Sequence, residues 1–243
     1  MKTLAIVQAR MTSTRLPGKV LLPILGKPML SLQLERMRRS KTLDGIIVAT
    51  TTNAADDPLV ALCKLEGIDF FRGSEHDVLS RYDAAARLFG ATTIVRITSD
   101  CPLMEPDLID QVVNVFVQGK GQLDYASNML QRSFPLGLAV EVFSRDALEH
   151  AHREAINDAE REHVTPYIYW RPETFRLGSI SHDSDLSHHR WTVDTPEDFD
   201  LVSKIFSELY PYDPSFGISE VLQLLHRHPE WSAINSHVSQ KVA

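Results

Sequence analysis

Short apolar runs alternate with stretches of helical periodicity along the first half of the chain. A strand that is covered on both faces carries few polar residues, so continuous apolar or β-branched runs predict buried strands. Such strands are predicted at 4–7, 45–51, 69–72 and 92–98. Helices are predicted between and after them, at 29–39, 56–66, 78–89 and 106–117. This alternation is typical of a parallel sheet covered by helices.

The second half of the chain has a less regular pattern. We predict an irregular segment at 132–138, a strand at 139–143, helices at 145–156 and 160–170, a strand at 175–180, a strand ending at Asp194 and a peripheral helix within 217–231. Thr195 is a predicted helix cap, because Pro196 suits the first helical position and acidic residues follow it. Residues 232–243 are expected to fray.

Length, charge and cysteine content narrow the class of protein. The 243 residues, 43% of them hydrophobic and 23% charged, predict one soluble α/β domain over 1–243. A formal net charge of -7 argues against a nucleic-acid partner, since nucleic-acid-binding domains are usually basic. No apolar stretch approaches the roughly 18 residues that membrane insertion needs, and the first apolar run is too short for a signal sequence, so we expect a cytoplasmic protein. Cys63 and Cys101 lack the spacing of a zinc site or a disulfide framework.

A basic loop directly follows the first predicted strand. Arg10, Arg15 and Lys19 lie within a dozen residues at the carboxyl end of that strand, where open α/β sheets bind their ligands. Ser, Thr and Gly in the same loop can offer backbone N–H groups to phosphate oxygens. Pro17-Gly18 predicts a turn that points Lys19 inward. The loop therefore predicts an anion-binding site, and the alternative is a solvated loop with incidental charges.

Two carboxylates are expected at the same edge of the sheet. Asp100 follows the strand at 92–98, and Asp194 ends the strand that precedes Thr195; the alternative for Asp194 is a plain turn residue. Mg2+ usually takes one or two carboxylates together with phosphate oxygens, so Asp100 and Asp194 beside the basic loop predict phosphoryl or nucleotidyl transfer. His188 and His189 do not predict a transition-metal site, because adjacent side chains on an extended segment point to opposite sides.

Motifs of other reaction classes are missing. The chain has neither the GxxxxGK[ST] loop of phosphate-binding NTPases nor the GxGxxG fingerprint of dinucleotide-binding folds. It also lacks the GxSxG elbow of α/β-hydrolases. ATPase, dehydrogenase and serine hydrolase activities therefore lose their main support.

Several motifs, in order, resemble the sugar cytidylyltransferases, which activate acidic sugars such as Kdo and neuraminic acid as CMP conjugates. The similar segments are 8–10, 15–19, 26–29, 99–103 and 193–198. Two more, Arg72-Gly73-Ser74-Glu75-His76-Asp77-Val78-Leu79-Ser80-Arg81-Tyr82 and Glu160-Arg161-Glu162-His163-Val164-Thr165-Pro166-Tyr167, resemble the spore-coat polysaccharide biosynthesis branch of that family. The resemblance spans about residues 3 to 200, and several motifs in order are more specific than any one of them.

The resemblance implies a fold, a donor substrate and a metal. The implied fold is the GT-A type of nucleotidyltransferase fold, a mixed and mostly parallel central sheet with helices on both faces. CTP would be the donor, Mg2+ the cofactor, and Asp100 and Asp194 the metal ligands. The residues implied to contact the nucleotide are Gln8, Ala9, Arg10, Arg15, Lys19, Arg72, Ser74, Arg81 and Ser99, and those implied to be catalytic are Lys19, Arg10 and Asp100. An acceptor oxygen would attack the α-phosphorus in line and release pyrophosphate.

Other residues have a structural alternative beside the implied role. Ser74 is also a plausible helix cap. Glu141, Arg161 and His163 are candidates for contacts with a small acidic acceptor, and the alternative is a buried ion-pair network that supports the site. The sequence departs from the relatives at Ala139, where they often have an acidic residue, and at Ser99, where they have Gly. These departures put the identity of the acceptor in question.

Three functions are compatible with these sequence features. The favoured one is CMP transfer from CTP to an acidic sugar or related acid. The others are a GT-A glycosyltransferase that uses a nucleotide sugar and a non-catalytic nucleotide-binding partner. The aromatic residues Tyr167, Tyr169 and Trp170 fit a homodimer surface, and core packing explains them equally well.

Overall fold

The computed structural model of the protein describes residues 1–119 and 121–240. Its strands are β1 Thr3–Gln8, β2 Pro23–Ile24, β3 Lys27–Pro28, β4 Gly45–Thr51, β5 Asp69–Gly73, β6 Thr93–Thr98, β7 Tyr125–Ser127, β8 Glu141–Ser144 and β9 Leu177–Ser179. Its helices are α1 Met29–Met37, α2 Asp57–Glu66, α3 Val78–Phe89, α4 Pro106–Gln118, α5 Arg145–Glu154, α6 Asp158–His163, α7 Pro166–Tyr169, α8 Pro196–Leu209 and α9 Ile218–Arg227. No α-helix in these two ranges is long and apolar enough to cross a membrane.

Seven of the strands form one mixed sheet in the order β5-β4-β1-β6-β8-β7-β9. Strands β5, β4, β1 and β6 pair in parallel, as do β7 and β9, whereas β8 runs antiparallel to both of its neighbours. Strands β2 and β3 form a separate short hairpin. The predicted mixed, mostly parallel sheet is therefore confirmed.

Helices cover both faces of the sheet, as the residues of β1 show. Ala5 and Val7 belong to a core cluster that also contains residues of α1, α2, α4, α8 and α9. Leu4 and Ile6 belong to a second cluster with residues of α3, α5 and α7. Because alternate side chains of a strand point to opposite faces, β1 is buried on both sides. This burial explains why its sequence is continuously apolar.

Most elements of the first half lie where the pattern predicts them. The bounds of β4 and α3 agree with the predicted strand at 45–51 and helix at 78–89. The Asp77 side chain accepts from the Ser80 N–H and caps α3. The predicted cap of α8 is also confirmed, because the Thr195 hydroxyl accepts from the Asp198 N–H while the Asp198 carboxylate accepts from the Thr195 N–H.

Two predictions in the second half are wrong, and one strand is missed. Residues 125–127 form a strand that the pattern does not predict. The predicted helix at 160–170 is two short helices, because Val164 has a positive φ of 72° and Pro166 has no N–H with which to continue the hydrogen-bond pattern of the first helix. The predicted strand ending at Asp194 forms no ladder, since its backbone N–H groups bond to separate segments: Trp191 to the Leu136 carbonyl and Val193 to the Asp100 carbonyl.

The chain end packs against the rest of the molecule at Asn235. This residue is 3% exposed, and its side chain donates to the Asp198 carboxylate over 2.8 Å and to the Arg190 carbonyl over 2.9 Å. Fraying from residue 232 onward therefore does not describe Asn235, and 241–243 lie outside the described residues. The single domain over 1–243 stays a prediction.

Candidate active site

The basic loop turns back on itself and buries Lys19. Gly18 has a φ of 70° and donates its N–H to the Met11 carbonyl, so the loop closes before a short 3-10 turn at Lys19–Leu21. A glycine adopts this left-handed conformation without steric strain. Lys19 is only 7% exposed, which is the inward orientation that Pro17-Gly18 predicts.

Lys19 joins the two predicted carboxylates, although they are far apart in the sequence. Its Nζ lies 2.9 Å from Asp194 Oδ1, 3.5 Å from Asp100 Oδ2 and 2.7 Å from the Val193 carbonyl oxygen. Burial lowers the pKa of Lys19, but the two carboxylates outweigh burial and raise that pKa above its ordinary value. Burial raises the pKa of Asp100, but Lys19 and the Thr98 hydroxyl outweigh it and hold that pKa below its ordinary value. Lys19 and Asp100 are therefore both charged at neutral pH.

Asp194 is surrounded by cations on its other oxygen. Arg15 Nη2 lies 2.8 Å and Arg190 Nη2 lies 3.3 Å from Asp194 Oδ2. Arg190 is itself fixed by Asp198, whose two carboxylate oxygens each accept from it over 2.8 Å. The Asp198 carboxylate also accepts from the Asp194 N–H, so it orients both Arg190 and the Asp194 backbone.

A cavity of about 560 Å³ opens at this edge of the sheet. The residues of the basic loop, the carboxyl end of β6 and the segment around Asp194 form its walls together with residues of α3 and α6. Its polar and charged lining comprises Gln8, Arg10, Ser13, Thr14, Arg15, Lys19, Glu75, His76, Arg81, Arg96, Thr98, Ser99, Asp100, Glu162, His163, Thr192, Asp194 and Gln240. A cavity of this size and polarity suits a small, highly charged ligand.

Some of the predicted nucleotide-contacting residues lie outside the cavity lining. Arg72 donates to the Thr51 and Asn53 carbonyl oxygens and pairs with Asp57 over 2.7 Å. The Ser74 hydroxyl accepts from the Asp77 N–H, which is its structural alternative as a cap of the turn before α3. The structure therefore brings together Gln8, Ala9, Arg10, Arg15, Lys19, Arg81, Ser99, Asp100 and Asp194, whereas Arg72 and Ser74 are not part of the cavity lining.

Of the three residues predicted to contact the acceptor, one lines the cavity and two do not. His163 lines the cavity, and burial, reinforced by the nearby Arg96, lowers its pKa although Glu162 opposes this effect. Arg161 instead pairs with Asp77 at the start of α3. Glu141 pairs with Arg96 behind the cavity wall. In this geometry, Arg161 and Glu141 fit the alternative of a supporting ion-pair network.

Two polar residues that shape this region are not predicted from the sequence. Asp56 is fully buried, and its carboxylate accepts from the Met11 N–H over 2.7 Å, which anchors the start of the basic loop. Arg96 lines the cavity from the middle of β6. The sequence could have indicated Arg96, because an arginine between two apolar residues of a buried strand needs a polar or charged partner. Nothing in the local sequence marks Asp56.

The donor set suits a metal that is shared with a phosphate ligand. No group of three or more His, Cys, Asp or Glu that could hold an ion exists among residues 1–119 and 121–240. Two carboxylates, Asp100 and Asp194, nevertheless converge on one cationic group. Mg2+ usually binds to one or two carboxylates and completes its shell with phosphates and water. The residues present therefore fit Mg2+ carried by a polyphosphate, and they do not form a closed protein cage.

The fold and this constellation define a nucleotidyltransferase-like α/β protein, with a basic loop and two carboxylates at the carboxyl edge of a mixed sheet. The family described as "Cytidylyltransferase" matches residues 4–225. Because this match covers most of the sequence, the chain belongs to the cytidylyltransferase family. The resemblance seen in the sequence motifs is thus confirmed.

Relatives of known name agree with this assignment. The chain is 33% identical over 234 residues to the spore coat polysaccharide biosynthesis protein SpsF of Bacillus subtilis, an alignment that covers 93% of this chain and 95% of SpsF. A cytidylyltransferase structure from Leptospira borgpetersenii matches with a TM-score of 0.91 at 32% identity, over 100% of this chain and 99% of the other. A structure of CMP:2-keto-3-deoxy-manno-octonic acid synthetase complexed with CTP matches with a TM-score of 0.67 at 16% identity, over 86% and 99% of the two chains. This last likeness concerns the fold.

Proposed function

We propose that the protein transfers CMP from CTP to an acidic sugar or a related acid and releases pyrophosphate. The observation that carries this proposal is the convergence of Lys19, Asp100 and Asp194 beside the basic loop, in a member of the cytidylyltransferase family. Membership of the cytidylyltransferase family supports the choice of nucleotide. The likeness to SpsF supports a place in the biosynthesis of cell-surface polysaccharide.

The basic loop would bind the triphosphate. Lys19 and Arg15 are both held by Asp194, and a triphosphate with several negative charges competes with that single carboxylate for them. Arg15 is the more accessible partner, because its side chain is 28% exposed whereas that of Lys19 is 9% exposed. We expect Arg15 to swing toward the phosphates while Lys19 stays between the carboxylates and the ligand.

Asp100 and Asp194 are the proposed holders of Mg2+. A bound Mg2+ would neutralise the charge of the triphosphate and of the leaving pyrophosphate. Movement of Arg15 toward the phosphates would free Asp194 Oδ2 on one side. Arg190 and Asp198 would keep the Asp194 side chain in place during that exchange.

The reaction would be an in-line displacement at the α-phosphorus. An acceptor hydroxyl oxygen forms the new bond to the α-phosphorus and its proton passes to water, while the bond from the α-phosphorus to the oxygen that bridges it to the β-phosphorus breaks and pyrophosphate leaves. Catalysis would then rest on positioning and charge neutralisation, as is general for phosphoryl transfer. The backbone of Gln8-Ala9-Arg10 would lie near the cytosine and the Arg10 side chain near the phosphates. Arg81 and Ser99 would complete the nucleotide pocket.

Pyrophosphate release tests this proposal directly. The protein is incubated with Mg2+ and each of the four nucleoside triphosphates, against a panel of 2-keto-3-deoxy sugar acids, sugar phosphates and phosphonates. We expect release with CTP and one class of acid. Tight binding of a nucleotide sugar without pyrophosphate release would contradict CMP transfer and favour a glycosyltransferase. Binding of CTP without any turnover would favour a non-catalytic partner.

A further inference from the structure

Arg96 occupies an unusual position in the central sheet. It lies in the middle of β6 between Val95 and Ile97, which are both buried in the core. Its side chain is 12% exposed, and it lines the active-site cavity on the face of the sheet that carries α3 and α6. A buried guanidinium is costly unless its donors are paired, so its partners show what the position is built for.

Among residues 1–119 and 121–240, the protein supplies a side-chain partner on one side of the Arg96 guanidinium only. Arg96 stands opposite Glu141 in the antiparallel register of β6 and β8, and its Nη1 donates to Glu141 Oε2. The other carboxylate oxygen of Glu141 accepts from the Tyr125 hydroxyl over 2.7 Å and from the Thr165 hydroxyl over 2.5 Å. Both oxygens of Glu141 are therefore engaged, and this carboxylate holds the guanidinium from behind.

The remaining edge of the Arg96 guanidinium has no protein acceptor. Its Nε is buried without a hydrogen-bond partner, and no protein atom of residues 1–119 and 121–240 accepts from its Nη2. The N–H groups of Nε and Nη2 point in parallel from one edge of the planar group. This edge is the fork that pairs with both oxygens of a carboxylate.

We propose that Arg96 is the acceptor-anchoring residue, which binds the carboxylate of an acid acceptor through its free edge. Glu141 is then a positioning residue that acts through Arg96, in place of the direct acceptor contact that the sequence motifs imply for it. This inference rests on the proposed function, because it names the group by which the same cavity recognises its second substrate.

The location of Arg96 suits that role. It is two residues before Thr98 on β6, a separation of about 7 Å along a strand. The Thr98 hydroxyl donates to Asp100 at the proposed phosphate end of the cavity. A carboxylate on Arg96 would therefore place the hydroxyl of a small sugar acid near the α-phosphorus. His163 and Glu162 line the same cavity and would meet the polar groups of the acceptor.

The other cations of the cavity already have partners, which favours the same assignment. Arg10 faces Glu75 at 3.7 Å, and Arg15 and Lys19 are held by Asp194. Arg81, which lies within the family-like segment 72–82, donates its Nη1 to the Ser74 carbonyl and, like Arg96, has a buried Nε without a hydrogen-bond partner. Arg81 is held by a backbone carbonyl, whereas Arg96 is held from behind by the Glu141 carboxylate and keeps one edge without a protein acceptor among the described residues.

The experiment compares substrates and variants in steady-state kinetics. The acceptor is the sugar acid that supports the fastest pyrophosphate release in the panel described above, together with its C1 carboxamide. Wild-type protein is expected to prefer the acid by about 100-fold in kcat/KM, because the amide cannot accept from both donors of the fork. Calorimetric titration with CTP and Mg2+ reports the nucleotide half of the site separately.

Two variants address Arg96 without leaving a buried charge unpaired. Arg96→Lys keeps a cation beside Glu141 but lacks the fork, and we expect its acceptor KM to rise about 100-fold while kcat and the Kd for CTP change little. The double variant Arg96→Gln with Glu141→Gln removes both charges, and we expect it to lose the preference for acid over amide. Arg153→Gln is the matched control, because Arg153 is exposed and pairs only with its neighbour Glu154.

The outcomes separate this inference from the proposed function. No pyrophosphate release by wild-type protein with any acid would sink the proposed function itself. Normal wild-type turnover together with an unchanged acceptor KM in Arg96→Lys would overturn only the role of Arg96. An equal loss of CTP affinity and acceptor affinity would also overturn it, because that pattern indicates a general structural role. Tyr125→Phe removes one hydrogen bond from Glu141, and a small rise in acceptor KM with an unchanged kcat would support the positioning role.

Discussion

The two charged clusters of the cavity are built in opposite ways. At the loop end, the cations Lys19, Arg15 and Arg190 share Asp194, and Lys19 and Arg190 each have a second carboxylate partner. At the β6 end, Arg96 has one carboxylate partner, and that carboxylate is saturated from behind. The first cluster can exchange partners when an anion arrives. In the second cluster, the Arg96 guanidinium is held in one orientation and has one edge without a partner among the described residues. It therefore suits recognition of a ligand group of matching geometry.

The largest expected effect concerns the loop end. Asp100→Asn should lower kcat by about 10³-fold, because it removes charge from one of the two proposed Mg2+ ligands while the side-chain volume is kept. The measurement is CTP-dependent pyrophosphate release with Mg2+. Asp107→Asn, at an exposed position of α4, is the control. A variant at position 100 that keeps more than about a tenth of the activity would contradict the proposed metal role.

The support of the loop-end cluster should matter for stability. Asp198 is fully buried and accepts from Arg190, Asn235 and the Asp194 N–H. Asp198→Asn should lower the free energy of unfolding by about 3 kcal/mol, because it leaves Arg190 without its main buried partner. Urea unfolding measures this change. Asp200→Asn on the same helix, exposed and paired with Lys204, should change it by less than about 0.5 kcal/mol.

Arg15 and Arg96 should produce opposite kinetic patterns. Arg15→Gln is expected to raise the KM for CTP about tenfold and to leave the KM for the acceptor unchanged, since Arg15 lies at the proposed phosphate end. Its effect on unfolding should stay below about 1 kcal/mol, because the ion pair is partly exposed. If Arg15→Gln and Arg96→Lys raised the KM of the same substrate, the proposal that the two clusters bind different substrates would be wrong.

The smallest expected effect is the pH dependence of stability. The pKa of Lys19 is raised in the folded protein, so its contribution is complete below the unfolded value and is lost as the pH rises through the folded value. The pKa of Asp100 is lowered, so its contribution is complete above the unfolded value and is lost as the pH falls through the folded value. In urea unfolding as a function of pH, Lys19→Met should therefore flatten the alkaline decline and also weaken the acid decline, because Lys19 is the main group that lowers the Asp100 pKa. Asp100→Asn should flatten the acid decline as well, and an unchanged acid decline in Lys19→Met would show that Lys19 does not stabilise the Asp100 carboxylate.

The sequence predicted the parts of the fold that depend on local pattern. Strand β4 and helix α3 have long, uniform patterns, and their predicted bounds are confirmed. Strand β7 has three residues, which is too short for a period to emerge. The segment that ends at Asp194 is predicted as a strand, and it is buried as a core strand would be, but its backbone N–H groups bond to two separate loops. A segment of the core therefore need not form a ladder, and the sequence does not show whether it has a partner strand.

The residues of the candidate site also fall into two groups, those that the sequence could place and those that it could not. Arg10, Arg15, Lys19 and Asp100 follow strands whose ends lie together in any parallel sheet, so the sequence could place them at one edge. Arg72 and Arg161 belong to motifs of the family, yet they pair with Asp57 and Asp77 outside the cavity. A sequence motif records that residues occur together, and it does not tell which of them face the ligand.

The sequence by itself determined the chemistry and the class of this protein. The basic loop, the two carboxylates and the order of the motifs predicted a cytidylyltransferase, because residue types and local periods are written along the chain. Only the tertiary structure decided that Lys19 meets Asp194 across 175 positions and that Glu141 lies behind Arg96. Such contacts depend on the register between strands and on the path of loops, which the packing of the whole molecule selects.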